Sequence, residues 1–483
     1  MSLERKIQKI TVPTIEIDEM KMSNTDDPNN ELYSRDSRPH QSGSLFPLVQ
    51  INKYSFSENE ITYLRLDLTD YIPRVTVVVA QGDGRFLSKS YPKDGDPLSV
   101  FIRSRVKEFN PIRCDFEITS ISSAPSTDST GNTVIYNIEA SLRIPRLHAE
   151  FCKAYKDMNS YEALLELATD MKLGFASNEL VTDDKMTWLC PFDSYKKFMM
   201  DITKASYKDD DSFFETWIDH FYILNFVNVN NQFGEEFDVE NAFETLNASN
   251  DYNEGQTVEV ENTKLLLSNH KNLRGSGNWI AGYTLLNNCG QVVQANGYRR
   301  YVQFYDMNID GAPNTKYQSY FIEPLSTAGV NDKILMRGRV KEPEIYKEQN
   351  KNKFMGIQIS NPTGQVHANY MHAIVNNFQN TQEIDKMILH VSLTKANFNL
   401  YRGQRIPLLI LNEPGTQRAI MTEDPEGPKN QPLVQDKFLS GYYYIKGMTI
   451  SWSESDANFY QDLYLARREW PIPHQASENT SQG

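Results

Sequence analysis

The chain has 483 residues, a mass of 55.6 kDa and a formal charge of −14. Its length predicts two to four domains with sizeable cores, and 39% hydrophobic against 23% charged residues excludes wholesale disorder. No run of lysine and arginine is long enough to track phosphates, so sequence-independent attraction to nucleic acid is excluded, and the acidic balance repels DNA that merely passes nearby.

The four cysteines, Cys114, Cys152, Cys190 and Cys289, lie far apart, with neither a C-x-x-C pair nor a histidine at zinc-ligand spacing. They read as reduced thiols of a cytosolic protein. The opening "MSLERKIQKITVP" lacks the apolar run of a secretory signal, and the most apolar short run, "VTVVVA" at 75–80, is too short to span a bilayer. The expectation is a soluble protein, made and assembled inside a cell, without a membrane-spanning segment.

Residues 1–44 read as an extended arm, polar and acidic from 16 onward. Strand patterns then fill 45–150. In "TYLRLDLT" Leu64, Leu66 and Leu68 alternate with Arg65, Asp67 and Thr69, which places one face on a core and the other in water. Gly82 and Gly84 in "VTVVVAQGDGRFLS" suit a hairpin turn. Leu98, Val100 and Ile102 share a face of "LSVFIRSRV". "CDFEITSI" and "VIYNIEASLRI" alternate again around the flexible tip "SSAPSTDSTGNT", with Val134, Tyr136, Ile138, Ala140, Leu142 and Ile144 on one side. Five or six such strands predict a sandwich or barrel.

Residues 151–233 shift toward helical period. Ser160 is placed to cap a helix whose stripe is Tyr161, Leu164, Leu165, Ala168 and Met171, with Gly174 as its stop. "DSYKKFMMDITKAS" predicts a second helix, and "DDDSFFETWIDHFYIL" a third, with Ser212 and Glu215 as capping box. An acidic linker is read at 234–256. Strands resume over 257–473, with an insertion near 341–380 and a flexible tail at 474–483. Within that block Asn296-Gly297 is the strongest short hairpin signal, Met387, Leu389, Val391 and Leu393 share a face, and "FLSGYYYIKGMTISWS" pairs with "NFYQDLYLARREWP" as a closing hairpin. The fold class expected is α+β and β-dominated.

Chemistry is hard to find. Asp209–Asp211 lacks the glycine and terminal glutamate of a calcium loop and precedes an expected helix start, so it reads as a cap. "TDDKM" at 182–186 reads as a turn, since nothing pairs it with a second acid–base group. "QGDGRF" and "RGSGNW" stop short of G-x-G-x-x-G and stand outside any βαβ unit. His390 falls on a polar strand face, while His367 and His372 are five apart, wrong for two ligands on one helical face. The arginines and aromatics of "GYRRYVQFYD" fit a solvated face or subunit contact better than a base-stacking surface. No catalytic, cofactor-binding or metal-binding residue is assigned, no cofactor is expected, and the chain is not read as an enzyme.

A chain rich in tyrosine and poor in chemistry suggests a protein whose surfaces are its function. Four segments carry a resemblance: "NSYEALLELATDMKLGFASN" (159–178), "TDDKMTWLCPFDSYKKFMMDITKASY" (182–207), "SFFETWIDHFYILNFVNVNNQF" (212–233) and "FLSGYYYIKGMTISWSESDANFYQDLYLARREWP" (438–471). Their order over about two thirds of the chain resembles the baseplate hub proteins of contractile-tailed bacteriophages, related to late-control D proteins and to the N-terminal part of type VI secretion spikes. The resemblance implies two tube-like β-barrel domains (45–150 and 257–473) around a small helical insertion (151–233). It also implies a homotrimer whose pseudo-hexameric ring adapts the hexameric tail tube to the trimeric central spike, located in the virion baseplate and assembled in the host cytoplasm. Tube or tube-initiator proteins, the spike, and tape-measure and wedge proteins are the partners it offers, with DNA passing the lumen without specific binding. By the same resemblance, aromatic residues on one face of the terminal hairpin are open to neighbouring subunits. The readings left standing beside it are a tube initiator or wedge protein of the same baseplate, and a hub-associated enzyme that degrades cell wall.

Overall fold

Alternation such as Leu64, Leu66, Leu68 demands a sheet with one wet face, and the computed structural model is built around one. It describes residues 47–233 except 53, 83, 90, 94, 103–110 and 126–132; beyond 257 it describes the strands named below and most of 366–412 and 434–467, with backbone alone for 258–279 and 299–359. The arm at 1–44, the linker at 234–256, the tail at 474–483, Asn296-Gly297, Cys289 and most of 341–365 lie outside the described residues.

The first block comprises β1 (Leu48–Ile51), β2 (Tyr54–Ser55), β3 (Ile61–Asp67), β4 (Arg74–Gln81), the short helix α1 (Arg85–Lys89), β5 (Pro97–Ile102), β6 (Ile112–Pro125) and β7 (Val134–Leu142). All are antiparallel, in the order β2-β1-β5-β6-β7-β4-β3. The predicted inward sets are buried: Leu64, Leu66 and Leu68; Leu98, Val100 and Ile102; Tyr136, Ile138, Ala140 and Leu142. The predicted hairpin around 122–133 forms, with Phe116 opposite Leu142 and Pro125 opposite Val134. The hairpin expected at Gly82 and Gly84 does not. β4 pairs with β3 and β7, and the chain enters α1, where the Phe86 N–H donates to Gln81 Oε1 at 2.9 Å and the Phe86 ring is buried against Tyr54, Phe56 and Tyr136. Burial of that ring outweighs the turn signal.

The middle block is mixed rather than helical. It runs β8 (Glu150–Met158), α2 (Ser160–Asp170), β9 (Gly174–Ser177), β10 (Met186–Ser194), α3 (Tyr195–Ala205), β11 (Phe214–Ile218) and β12 (Ile223–Asn228). α2 is capped one residue earlier than expected, by Asn159, whose side chain accepts from the Glu162 N–H at 2.8 Å while Glu162 accepts from the Asn159 N–H at 3.0 Å. It ends at Met171, with Lys172 left-handed (φ 58°), so Gly174 opens β9 instead of stopping the helix. α3 forms as predicted on a Ser194 cap. The third helix is a strand. All five residues of β11 are buried, leaving no polar face for a surface helix, and antiparallel β12 satisfies its backbone. Ser212 does not cap: its Oγ accepts from Asp209 N–H at 3.1 Å and donates to Asp209 O at 2.8 Å, closing the preceding turn.

The second block comprises β13 (Val258–Val260), β14 (Leu266–Ser268), β15 (Leu273–Gly275), β16 (Trp279–Asn287), β17 (Arg299–Asp306), β18 (Lys316–Phe321), β19 (Ile334–Met336), β20 (Asn352–Ile359), α4 (Tyr370–Ile384), β21 (Met387–Leu393), β22 (Arg405–Leu409), β23 (Leu411–Asn412), β24 (Val434–Gln435), β25 (Gly441–Ser453), β26 (Asn458–Ala466) and β27 (Glu469–Pro471). Six of these close on themselves in the order β25-β22-β14-β16-β21-β26 and back to β25, a barrel whose core includes Leu389, Val391, Ile406, Ile445, Leu463 and Leu465. β17 pairs with β18 and β20, both later in the chain, so the strand after Asn296-Gly297 has no hairpin partner before it among the described residues. β25 also pairs with β3, and one sheet of thirteen strands therefore runs through both blocks. The fold is β-dominated α+β, with a large curled antiparallel sheet and few short helices.

Candidate assembly site

β25 is thirteen residues long and changes partner half-way. Its first half, Gly441–Tyr444, pairs with β22; its second half, Thr449–Ser453, pairs with β3. Between them the register with β26 slips at Ile445/Gly447, a bulge that re-aims the strand. Gly447 sits where the first block arrives. A β-carbon there would lie 3.0 Å from the Thr69 Cα, and the Leu68 N–H donates to the Met448 carbonyl at 2.9 Å.

The first block contains the same device. β6 pairs with β5 through Ile112–Glu117, slips against β7 at Ile118/Ser120, and continues to Pro125. Aligned on that bulge, β3, β4, β5, β6 and β7 correspond in order to β16, β21, β22, β25 and β26, and every antiparallel pairing within the first set recurs in the second. A second bulge agrees as well: β3 slips against β4 at Ile61/Tyr63 and β16 against β21 at Ile280/Gly282. The chain thus carries one five-strand unit twice, with no sequence identity to announce it. The units lie side by side, in the order β5-β6-β7-β4-β3 followed by β22/β25-β26-β21-β16, joined where β3 meets the second half of β25.

A buried polar knot holds that joint. Arg402 donates to the carbonyls of Thr69 (3.1 Å) and Asp70 (2.8 Å) in the first unit, approaches Glu215 of β11 at 3.6 Å, and lies 4.7 Å from the centre of the Trp217 ring. The Tyr444 hydroxyl donates to Glu215 at 3.3 Å. Burial, reinforced by the Glu215 charge, pushes the Tyr444 hydroxyl well above the usual tyrosine range. Lys446, at the bulge, is held below the usual lysine range by burial, opposed by Glu215, and is ion-paired with Asp385. Tyr444 also packs with Phe213, Val229 and Phe233. Of the terminal-hairpin aromatics, Tyr443 and Trp452 are buried in the main core and Tyr444 is buried against the middle block, while Tyr460 stands 38% exposed on the outer face.

α4, inside the second block, clasps the middle block through an asparagine pair. Asn377 donates to the carbonyls of Thr203, Lys204 and Ser206 and accepts from the Phe214 N–H at 3.0 Å, while Asn376 donates to Ser212 O at 2.6 Å. Of the residues weighed for chemistry, Asp184 is fully buried and accepts from Ser160 N–H and Tyr207 N–H, both at 2.9 Å, a tie between α2 and the end of α3. Asp210 accepts from the Tyr207 hydroxyl at 2.8 Å and lies 3.4 Å from His372. His367 sits against the Ala205 carbonyl at 3.0 Å. His390 pairs with Asp462 at 3.6 Å on the outer face of the sheet. Among the described residues no three His, Cys, Asp or Glu gather as metal ligands would, and no helix is long and apolar enough to cross a membrane. The joint residues Arg402 and Gly447 escaped the sequence reading, and Glu215, expected in a capping box, lies instead inside β11 and faces Arg402 and Tyr444; the only signal was a glycine interrupting an otherwise apolar strand.

The outer face of both units is polar and continuous. Glu139, Thr76, Arg65, Ser451 and Tyr460 form one cross-strand row, and Ser141, Arg74, Asp67, Thr449, Asp462 and Ser392 the next. Charges of both signs are interspersed, with Arg74 on Asp70 at 2.7 Å and Ser392 on Asp462 at 2.6 Å. A cleft of about 610 Å³ opens on this face, bordered by Arg65, Arg74 and Glu139, by His148 just before β8, and by Lys196 of the middle block.

No family model matches the chain, and no curated protein matches it. Among solved structures it is similar to a tail protein from Neisseria meningitidis MC58, at 11% identity and a TM-score of 0.44 over 87% of this chain and 96% of that one. It is also similar to the 43 kDa tail protein of prophage MuSo2 from Shewanella oneidensis, at 8% identity and 0.46 over 87% and 98%. A third neighbour is a type VI secretion system component from E. coli, at 9% identity and 0.39 over 88% and 77%. Scores below 0.5 add no weight to a function, which the strand order of the chain itself has to support.

Proposed function

We propose that this chain is a structural virion protein, the baseplate hub of a contractile phage tail, in which three copies form a ring that adapts a hexameric tail tube to a trimeric central spike. The observation that supports it is the duplicated unit. A chain that carries the same five strands twice, side by side in one sheet, presents six near-equivalent units when three copies close a ring, yet keeps threefold symmetry on its other surfaces. Equal strand order suffices for this, so the units need not share sequence.

In such a ring the continuous polar face lines the channel. Among the described residues its paired charges and hydroxyls offer passing DNA no cluster of free cations, and binding to phosphates is weak without one. The middle block and α4, held by the knot at Arg402 and by Asn377, stiffen the joint so that the two units keep one relative orientation. The tube or its initiator seats on the six-unit side and the spike on the other, with tape-measure and wedge proteins as further contacts. The hub works in the virion after assembly in the host cytoplasm, and performs no catalysis.

Native mass measurement and electron-microscope imaging of the purified full chain test this, alongside a peptidoglycan zymogram. The expected result is three chains in a six-lobed ring, inert on peptidoglycan. Six chains in a ring point to a tube initiator, and clearing of peptidoglycan by a monomer overturns the structural reading in favour of an enzyme.

A further inference from the structure

The internal joint also predicts where copies meet. Within the chain, the first strand of one unit, β3, pairs with the second half of the long bulged strand of the other, β25. The equivalent edges at the two outer ends of the double unit are β16 and the second half of β6. Over part of their length both have no strand partner among the described residues: on the side away from β21, β16 pairs with β14 at Trp279 and Ile280 alone, which leaves 282–287 open, and β5 leaves β6 after Glu117.

Both edges also carry apolar groups that a solvated edge does not call for. On β16, Tyr283 is 45% and Leu286 38% exposed, whereas their equivalents in the joined unit are the fully buried Leu64 and the paired Asp67. On β6, Ile121 is only half-buried where its equivalent, Met448, is buried. Edges of this kind are templates for another strand.

Resting on the ring reading above, we propose that β16 of one copy adds antiparallel to residues 121–125 of β6 in the next, so that the lumen sheet runs unbroken from copy to copy. The bulge alignment fixes the register. Thr449 opposite Asp67 becomes Ser122 opposite Leu286, Ile450 opposite Leu66 becomes Ser123 opposite Leu285, and Ser451 opposite Arg65 becomes Ala124 opposite Thr284. The Leu68 N–H to Met448 O bond places 67/449 and 65/451 among the pairs that do not exchange backbone hydrogen bonds, so Ala124 and Thr284 face each other at the close spacing. Pro125, opposite Tyr283, removes one N–H and closes the edge to longer pairing. The contact is head-to-tail, and a ring uses up both edges of every copy.

The test is a cysteine pair in the full chain. In a Cys152→Ser, Cys289→Ser background, Ala124→Cys together with Thr284→Cys is placed for a disulfide across the proposed contact. On mild oxidation the double variant should convert to covalently linked dimers and trimers, and neither single variant should do so. In parallel, Ser123→Pro removes the N–H that, by equivalence with Ile450, points to the open edge and not to β7, and should weaken association at least tenfold, about the value of one lost hydrogen bond, with thermal unfolding of the monomer unchanged. A trimer by native mass that neither crosslinks at this pair nor responds to Ser123→Pro overturns the strand contact and leaves the ring reading standing. A chain that stays monomeric at every concentration overturns both.

Discussion

At Gly403 a β-carbon would lie 2.7 Å from two ring atoms of Trp217, and φ is +86°, a region that costs other L-residues about 1–2 kcal/mol. The same turn aims Arg402 at Thr69 and Asp70, so the missing methyl is what lets the knot form. Gly403→Ala should destabilise the chain by about 3 kcal/mol, strain and overpacking together, read as a lower denaturation midpoint at unchanged m-value. His367 gives a pH dependence. Burial holds its imidazole below the ordinary 6.5, against the opposing pull of the Ala205 carbonyl and of Asp184 and Asp183. With the folded pKa depressed, the unfolded chain takes the proton first as pH falls, so this stability is complete above about 6.5 and declines below it. His367→Gln, which keeps an N–H for Ala205, should flatten the loss seen between pH 6.5 and 5 in unfolding curves recorded at a series of pH values.

Among the elements, those with one wet face were legible and those with none were not. β3, β7 and β21 show their alternation because solvent reads one side of each. β11 is buried on both sides, and "SFFETWI" offers helix and strand the same apolar count, so a misplaced capping box tipped the reading. α4 fell inside a segment that the pattern left unassigned, because its decisive residues are polar: Asn376 and Asn377 turn inward to bond the backbone of the middle block. Buried asparagine looks like a loop signal until its partners are known. Asn377→Ala leaves the Phe214 N–H without its side-chain acceptor and withdraws the two amide hydrogens shared among the carbonyls at the end of α3, and should cost about 3 kcal/mol, with α4 amides exchanging hydrogen faster than those of β25 in the same variant. Little variation of that ordering is expected if α4 is clasped by its apolar stripe alone.

For the molecule as a whole, the duplication could not be read from identity, since what repeats is hydrogen-bond partnership and bulge position. Leu64 and Tyr283 occupy the same place in their units, as do Trp452 and Pro125. Selection for shape at a joint already made inside the chain favours packed residues such as Leu64 and Trp452; at an edge still to be joined the chain must also remain soluble, hence serines and a proline on β6. Equivalent substitutions should therefore have opposite signatures. Leu64→Ala opens a cavity beneath the internal joint and should cost about 3 kcal/mol of folding stability. Tyr283→Ala, at a half-exposed position, should change monomer stability by about 0.5 kcal/mol or less yet weaken association of copies about tenfold. Unfolding curves of the two variants, paired with mass distributions across a dilution series, separate the effects. If both positions act on folding alone, the second unit's edge is ordinary surface, and the equivalence of the two units ends at their strand order.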